Sequence, residues 1–386
     1  MPALFGDFCY FCNMTNAISI LDTNYANWIQ EIGKRYRGSQ IKAAVKVNSE
    51  MLQFYWSLGQ DIVEQQFENT YGSGFFSRLS KDLKDIIPDS GGFSIQNLHY
   101  MKKFYLLYNQ YLKNLPQVVG KSESGILPQV VGISDDTSLP QIVANFKTEL
   151  FSIPWGHHRY IIDKCKGNSQ KALFYVRKTQ ENNWSRAVLL NFLDTDLYER
   201  EGNAITNFKA IMSNAEGDLA QQMTKDPYCF DFLTLTQRYT EKELKDALMD
   251  NIQKFLLELG NGFAFVGREV RLKVGETEKF IDMLFYNIKL HCYVVLEVKV
   301  EKFDFSNVGQ LGGYMVAVNH QLKGENDNPT IGLLVCKYKD NVEAQYALET
   351  SNQPIGVSAY TLSKLMPENF KSSLPTIEEI ENELNK

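Results

Sequence analysis

Glu297 and Lys299 stand two apart in Cys292-Tyr-Val-Val-Leu-Glu-Val-Lys-Val300, a stretch that otherwise reads as buried strand. On a strand, residues two apart share a face, so a carboxylate and an ammonium project together with Val298 opposite. Upstream, Phe280-Ile-Asp-Met-Leu-Phe-Tyr286 reads as another strand, and a hairpin through Asn287-Ile-Lys-Leu290 would lay Asp282 beside Glu297. Such charges are expensive inside a sheet unless they neutralise one another or bind a cation. For an isolated Glu-x-Lys the ordinary reading is an exposed or salt-bridged pair at a strand edge. Here the pair belongs to an ordered set. Asp282 is on the preceding strand, Glu258 ends the helix before the sheet, and a helix follows Phe305 with Gln310 one turn in.

This constellation suits phosphodiester hydrolysis. Asp282, Glu297 and the carbonyl of Val298 offer hard oxygen ligands to Mg²⁺ or Mn²⁺. The cation would polarise a phosphate oxygen and acidify a water, while Lys299 orients that water and stabilises charge developing on phosphorus. Glu258 is expected to add a ligand or to hold a water on the metal.

The elements that must position these groups can be read from periodicity. A helix is expected from Thr240 to Leu259, then strands at Phe263 to Leu272, Phe280 to Tyr286 and Cys292 to Val300. The helix after Phe305 leads to strands at Pro329 to Cys336 and Ile355 to Thr361. The result is an αβββαβ core with a mixed sheet over residues 240–365, in a multidomain α+β or α/β chain.

Residues 24–113 read as a helical N-terminal domain with eleven Lys and Arg against eight Asp and Glu. Val47, Met51, Phe54, Leu58 and Ile62 fall on one side of a long helix that Tyr71-Gly-Ser-Gly74 should end. A second helix from Phe75 to Ile87 would bury Phe76, Leu79, Leu83 and Ile86 and stop at Pro88. Ser94 is a good N-cap for a third carrying Ile95, Leu98, Met101, Tyr105 and Tyr108. Three such helices make either a helix-turn-helix or a bundle used for packing or dimerisation. In the former, Gln96, Asn97, Lys102 and Lys103 are candidates to touch nucleic acid.

Leu115-Pro-Gln-Val-Val-Gly120 recurs at twelve-residue spacing as Leu127-Pro-Gln-Val-Val-Gly132 and, imperfectly, as Leu139-Pro-Gln-Ile-Val143. Units this short do not stack into a core, so residues 114–145 are expected to be a repetitive linker. Residues 146–235 read as a helical middle region. The adjacent His157 and His158 point in different directions and make a poor metal pair, which favours a structural role.

The chain has 386 residues, 44% of them hydrophobic, enough for two or three globular domains. A net charge of −6 excludes a protein that coats nucleic acid or anionic membrane through a large positive field, though not a nuclease with local basic residues. Six scattered cysteines and no leader pattern point to the cytoplasm. Cys9 and Cys12 form a C-x-x-C, but no second Cys or His pair completes a zinc site. No apolar run is long enough to span a membrane.

At these residues the sequence resembles the YhcG-like bacterial family, whose C-terminal half is a PD-(D/E)XK nuclease domain of restriction-endonuclease-like fold. The resemblance covers Phe255-Leu-Leu-Glu-Leu-Gly-Asn-Gly-Phe-Ala-Phe-Val-Gly267, Ile281-Asp-Met-Leu-Phe-Tyr286, Glu297-Val-Lys299, Gly309-Gln310 and Asn328-Pro-Thr-Ile-Gly-Leu-Leu-Val-Cys336. Upstream it takes in Leu79-Ser-Lys-Asp-Leu83, Gly92-Phe-Ser94, Pro154-Trp-Gly-His157, Trp184-Ser-Arg186 and Lys225-Asp-Pro-Tyr228. It implies that Asp282, Glu297 and Lys299 match the nuclease motif, Glu258 the acid before it, and Gln310 the polar residue of the following helix. It also implies DNA as substrate, in a restriction or defence context, and an N-terminal domain that binds DNA or a partner.

Val298 stands where Leu is commoner, Asn287 where His is commoner, and Gly312-Gly313 where Asn-Phe is usual. The glycines weaken that helix and bear on substrate contacts near Tyr314. Two rival readings stay open: a catalytically idle nucleic-acid-binding or scaffolding subunit, and an RNA-processing nuclease. A homodimer is expected on general grounds, since two sites related by a two-fold axis cut both strands of a duplex most simply.

Overall fold

Local chemistry sets where the first helices stop. In the computed structural model, which describes residues 23–88, 91–119 and 139–366, α1 (Thr23–Gln65) ends because Gln66 turns to φ 53°. A further turn, α2 (Phe67–Tyr71), then runs to Gly72, so the long helix stops short of the expected Tyr71-Gly-Ser-Gly74. α3 (Phe75–Ile86) ends two residues before Pro88, whose ring cannot continue a helix. Ser94 opens α4 (Ile95–Val119), its Oγ accepting from the Asn97 N–H at 3.2 Å.

α1 packs along α4 through Leu52, Trp56 and Ile62 against Leu98, Met101, Phe104 and Tyr108. Of the stripe expected on α1, Ile62 is buried and Leu58 packs partly buried beside it, whereas Val47 is 63% exposed, Met51 and Phe54 are exposed too, and Leu52 and Trp56 take the inward places. Ile86, expected in the core, ends α3 at 76% exposure. Three more helices follow, α5 (Leu139–Leu150), α6 (Trp155–Cys165) and α7 (Ser169–Asn182), and α8 (Arg186–Asp194) contains the point, after Leu190, where the chain divides into two compact units.

His157 and His158 both serve the first unit's packing. His158 is fully buried, its Nε2 2.8 Å from the Leu150 carbonyl and its Nδ1 3.3 Å from the Tyr108 hydroxyl. His157 Nε2 is 3.1 Å from the carbonyl of Trp184. The first and third Leu-Pro-Gln copies lie in α4 and α5, whereas residues 120–138, and the Cys9/Cys12 pair, fall outside the described residues.

The second unit opens with α9 (Leu197–Arg200), β1 (Ile205–Thr206), α10 (Phe208–Ile211), α11 (Asn214–Met223), β2 (Tyr228–Cys229) and β3 (Leu235–Thr236). The region 146–235 thus falls on both sides of the division and is not helical throughout. Its short strands are recruited by pairing: β1 runs antiparallel, and β2 parallel, to β8 (Ile355–Thr361) of the main sheet.

The helix expected from Thr240 to Leu259 is broken at Asn251, whose φ of −111° leaves the helical region. α12 (Glu241–Asp250) begins with a reciprocal Thr240/Glu243 cap, and α13 (Ile252–Leu259) follows the break. β4 (Phe263–Val274), β5 (Thr277–Asn287) and β6 (Cys292–Lys302) form an antiparallel meander. From β6 the sheet continues in parallel through β7 (Ile331–Tyr338) to β8, with α14 (Phe305–Gln321) and α15 (Asn341–Glu349) as crossovers. The order is β1-β8-β7-β6-β5-β4, and a separate pair joins β3 to β9 (Leu365–Met366).

The sheet has two covered faces. Leu244, Leu248, Phe255 and Leu259 pack on Met283, Phe285, Leu296 and Val298. On the other side Val308, Leu311, Met315 and Ala347 pack on Leu284, Val295, Leu334 and Val357. Gly332 permits close approach of α14, because a Cβ there would lie 2.6 Å from Met315 Sδ. No helix among the described residues is long and apolar enough to cross a membrane.

Candidate active site

The β5–β6 ladder runs from Asn287↔Cys292 to Met283↔Leu296 and stops there. The next two residues outward are Asp282 and Glu297. In place of a ladder bond, the Asp282 N–H donates to Glu297 Oε1 at 3.3 Å. The two carboxylates, 15 positions apart in sequence, thus meet where the strands part. Glu297 Oε2 is 3.5 Å from Lys299 Nζ, and the Glu297 side chain is only 3% exposed. Val298, between them, turns its side chain into the apolar core, and β6 holds it in register with Val335 of β7.

α12 brings two groups that the sequence reading passed over. Lys245 Nζ lies 2.7 Å from Asp282 Oδ1 and 2.9 Å from Glu241 Oε1. Lys299 Nζ is 3.4 Å from that same Glu241 oxygen. Glu241 and Lys245 are spaced i, i+4 near a capped N-terminus, a pattern that on its own reads as a solvent-facing ion pair. Their proximity to the motif depends on the contact of α12 with β6, which sequence spacing does not carry.

Three carboxyl groups face two ammoniums in this cluster, in a partly desolvated place. Burial, and then the charge of Asp282, push the Glu297 carboxyl up to about 8, with Lys299 working against them. Burial alone would lower the pKa of Lys299, but Glu297, Glu241 and Asp282 outweigh it and raise the pKa. Lys245 is raised for the same reason, by Asp282 and Glu241 against burial.

Asp282 Oδ2 is buried without a hydrogen-bond partner. A carboxylate oxygen left this way, beside a second buried carboxylate, is the donor set a hard divalent cation fits. No three His, Cys, Asp or Glu side chains among the described residues converge as a closed cage. Asp282 and Glu297 thus offer two carboxylates, fewer than a closed protein cage supplies.

Glu258 is not brought to this cluster. The Arg200 guanidinium closes on both of its oxygens, and the Cys229 N–H donates to Oε1 at 2.9 Å. Its charge is thus compensated within a buried ion pair. Gln310 is exposed on α14, donating from Nε2 to the Tyr314 hydroxyl at 2.8 Å. In the first unit, Asn97 is spent on packing: Oδ1 accepts from Trp155 Nε1 at 2.8 Å and Nδ2 donates to the Gly92 carbonyl at 2.6 Å. Lys102 pairs with Glu68. Gln96 and Lys103 are exposed, Lys103 Nζ lying 5.4 Å from the Tyr100 ring centre.

The family model of the YhcG PDDEXK nuclease domain matches residues 221–375, and that of the DUF1016 N-terminal domain matches residues 31–200. YhcG of Escherichia coli (strain K12) is 30% identical over 326 residues, which cover 82% of this chain and 84% of that protein. Among solved structures, a repair endonuclease from Pyrococcus abyssi matches at 20% identity and a TM-score of 0.24, over 33% of this chain and 49% of its own. The EndoMS–dsDNA2 complex matches at 18% and 0.23, over 34% and 46%. This chain spans less than half the length of either solved structure, and at these scores neither bears on the assignment.

Proposed function

Because this chain belongs to the YhcG family, with a DUF1016 N-terminal domain ahead of a PD-(D/E)XK nuclease domain, we propose that it is a metal-dependent nuclease that hydrolyses phosphodiester bonds in DNA. The observation that carries this reading is the meeting of Asp282 and Glu297 at the end of the β5–β6 ladder, with Asp282 Oδ2 buried and unpaired.

Asp282, Glu297 and the Val298 carbonyl would hold Mg²⁺ or Mn²⁺, which when bound polarises a phosphate oxygen and acidifies water. Glu297 is anchored by the Asp282 N–H, so the two carboxylates are fixed relative to each other before substrate arrives. Lys299 presents its ammonium on the same strand and stabilises charge that develops on phosphorus. Gln310 is exposed on α14 and Tyr314, its partner, is half-buried beside it; the two would contact the substrate backbone. Gln96 and Lys103 remain the exposed candidates on α4. A two-fold homodimer would deliver one site to each strand of a duplex. Cys229, Cys292 and Cys336 are thiols, consistent with action in the cytoplasm.

The test is cleavage of plasmid, linear and single-stranded DNA and of RNA, with Mg²⁺, Mn²⁺ or EDTA, by the native protein, Glu297→Ala and Lys299→Ala. Metal-dependent cutting lost in both variants, strongest on DNA, is the expected result. Cutting confined to RNA would replace the substrate. No cutting, with no Mn²⁺ binding above the Glu297→Ala level, would leave a nucleic-acid-binding scaffold.

A further inference from the structure

Lys245 is tied to the motif by the shortest ion pair in the cluster, and the proposed chemistry gives it no task. Its side chain is 17% exposed, and its ammonium is shared between Asp282 Oδ1 on β5 and Glu241 Oε1 on its own helix. Asp282 presents one oxygen to this ammonium and keeps the other unpaired. The positive charge paired with Asp282 Oδ1 is thus that of a side chain. A divalent cation on Asp282 would lie within a few ångströms of it, where two like charges repel strongly in a partly buried setting.

We propose that Lys245 is the resident counter-cation of Asp282, displaced when the divalent cation binds, and that it sets the affinity of the site for metal. The inference rests on the nuclease reading of Asp282 and Glu297. Glu241 makes the displacement cheap. Because it sits four residues before Lys245 on α12, the ammonium can leave Asp282 and keep its second partner, so one ion pair is broken and not two. In the metal-free state the same arrangement offsets two carboxylates that would otherwise repel each other and Glu297.

A purely structural tie between α12 and β5 makes the opposite prediction. If Lys245 only held Asp282 in place, its removal would loosen a ligand and weaken metal binding. If it competes with the cation, its removal tightens binding.

The experiment is calorimetric titration of the full chain with Mn²⁺, comparing native protein, Lys245→Met, Lys245→Gln and Asp282→Asn. Tighter binding by about tenfold or more in both Lys245 variants is expected, since tenfold needs only a small part of the repulsion removed. Unfolding in EDTA should come at lower temperature for both, with a larger upward shift on adding Mn²⁺. For the native protein, mass spectrometry after limited acetylation should show Lys245 modified faster with saturating Mn²⁺ than with EDTA, an arm that needs no variant to fold. Unchanged or weaker Mn²⁺ affinity in the Lys245 variants, or acetylation of Lys245 that does not rise with Mn²⁺, overturns the inference alone. Absence from the native protein of any Mn²⁺ binding that Asp282→Asn abolishes overturns the nuclease reading, and this inference with it.

Discussion

The backbone N–H of Asp282 donates to Oε1 of Glu297, one position beyond the last ladder pair between their strands. The contact orients Glu297 without neutralising it. Glu297→Gln should leave the protein at least as stable as the native form in EDTA, because burial and Asp282 already push the Glu297 carboxyl up to about 8, an amide avoids the cost of ionising there, and Lys299 keeps Glu241 as a partner. The same change should abolish stabilisation by Mg²⁺ and reduce cleavage by at least about a hundredfold, more than changes outside the ligand set cause. Thermal unfolding with and without Mg²⁺, and a cleavage time course, check both halves.

Glu258 makes a contrasting prediction. Its ion pair with Arg200 leaves the two side chains 4% and 5% exposed, so Glu258→Gln or Arg200→Met strands a charge in the interior. Each should cost about 3–5 kcal/mol in urea unfolding. In whatever fraction stays folded at low temperature, Mn²⁺ affinity should be unchanged, which calorimetry would show. A lost Mn²⁺ site would return Glu258 to the ligand set.

His158 predicts how acid acts on the first unit. Burial, against the pull of the Leu150 carbonyl, lowers its pKa to about 3, whereas the unfolded chain titrates near the ordinary value of about 6.5. Between these pH values the unfolded state binds a proton that the folded state refuses. The contribution of neutral His158 is therefore fully present above about pH 6.5 and is lost as pH falls, by up to about 1.4 kcal/mol per unit. The stability gap between the native protein and His158→Gln should narrow over that window, as urea midpoints at stepped pH would reveal.

Gly332 tests the seat of α14. An added methyl would press on Met315 Sδ and on Leu311 Cδ2, at 2.6 and 2.9 Å. Gly332→Ala should destabilise by about 1–3 kcal/mol through overpacking. Cleavage in the folded fraction should fall less than stability if α14 only carries substrate contacts such as Gln310. Unfolding midpoints measured beside initial cleavage rates separate the two.

Asp282, Glu297 and Lys299 could be placed together from sequence because strand alternation and a short hairpin are local rules, and the hairpin closes at Asn287↔Cys292. Lys245 escaped because its partner Asp282 is 37 residues away and its helical neighbour Glu241 gives it an ordinary explanation. Glu258 drew a role from its order in the chain, but its partner lies 58 residues upstream on a four-residue helix. Ile205-Thr206 and Tyr228-Cys229 are too short to show any period, and only pairing with β8 makes them strands. On α1 the apolar residues at Val47, Met51 and Phe54 matched a helical stripe as well as Leu52 and Trp56 do, and packing against α4 selected the second set.

The position of Arg200 bears on how such chains can be inherited. It is the last residue of the stretch matched by the N-terminal family model, yet it belongs to the second compact unit, where it answers the charge of a residue in the nuclease match. Exchange of N-terminal domains between relatives at residue 200 would separate acid from base unless the incoming sequence supplied a cation at the same place. A crossover near residue 190 keeps Arg200 and Glu258 on one inherited segment.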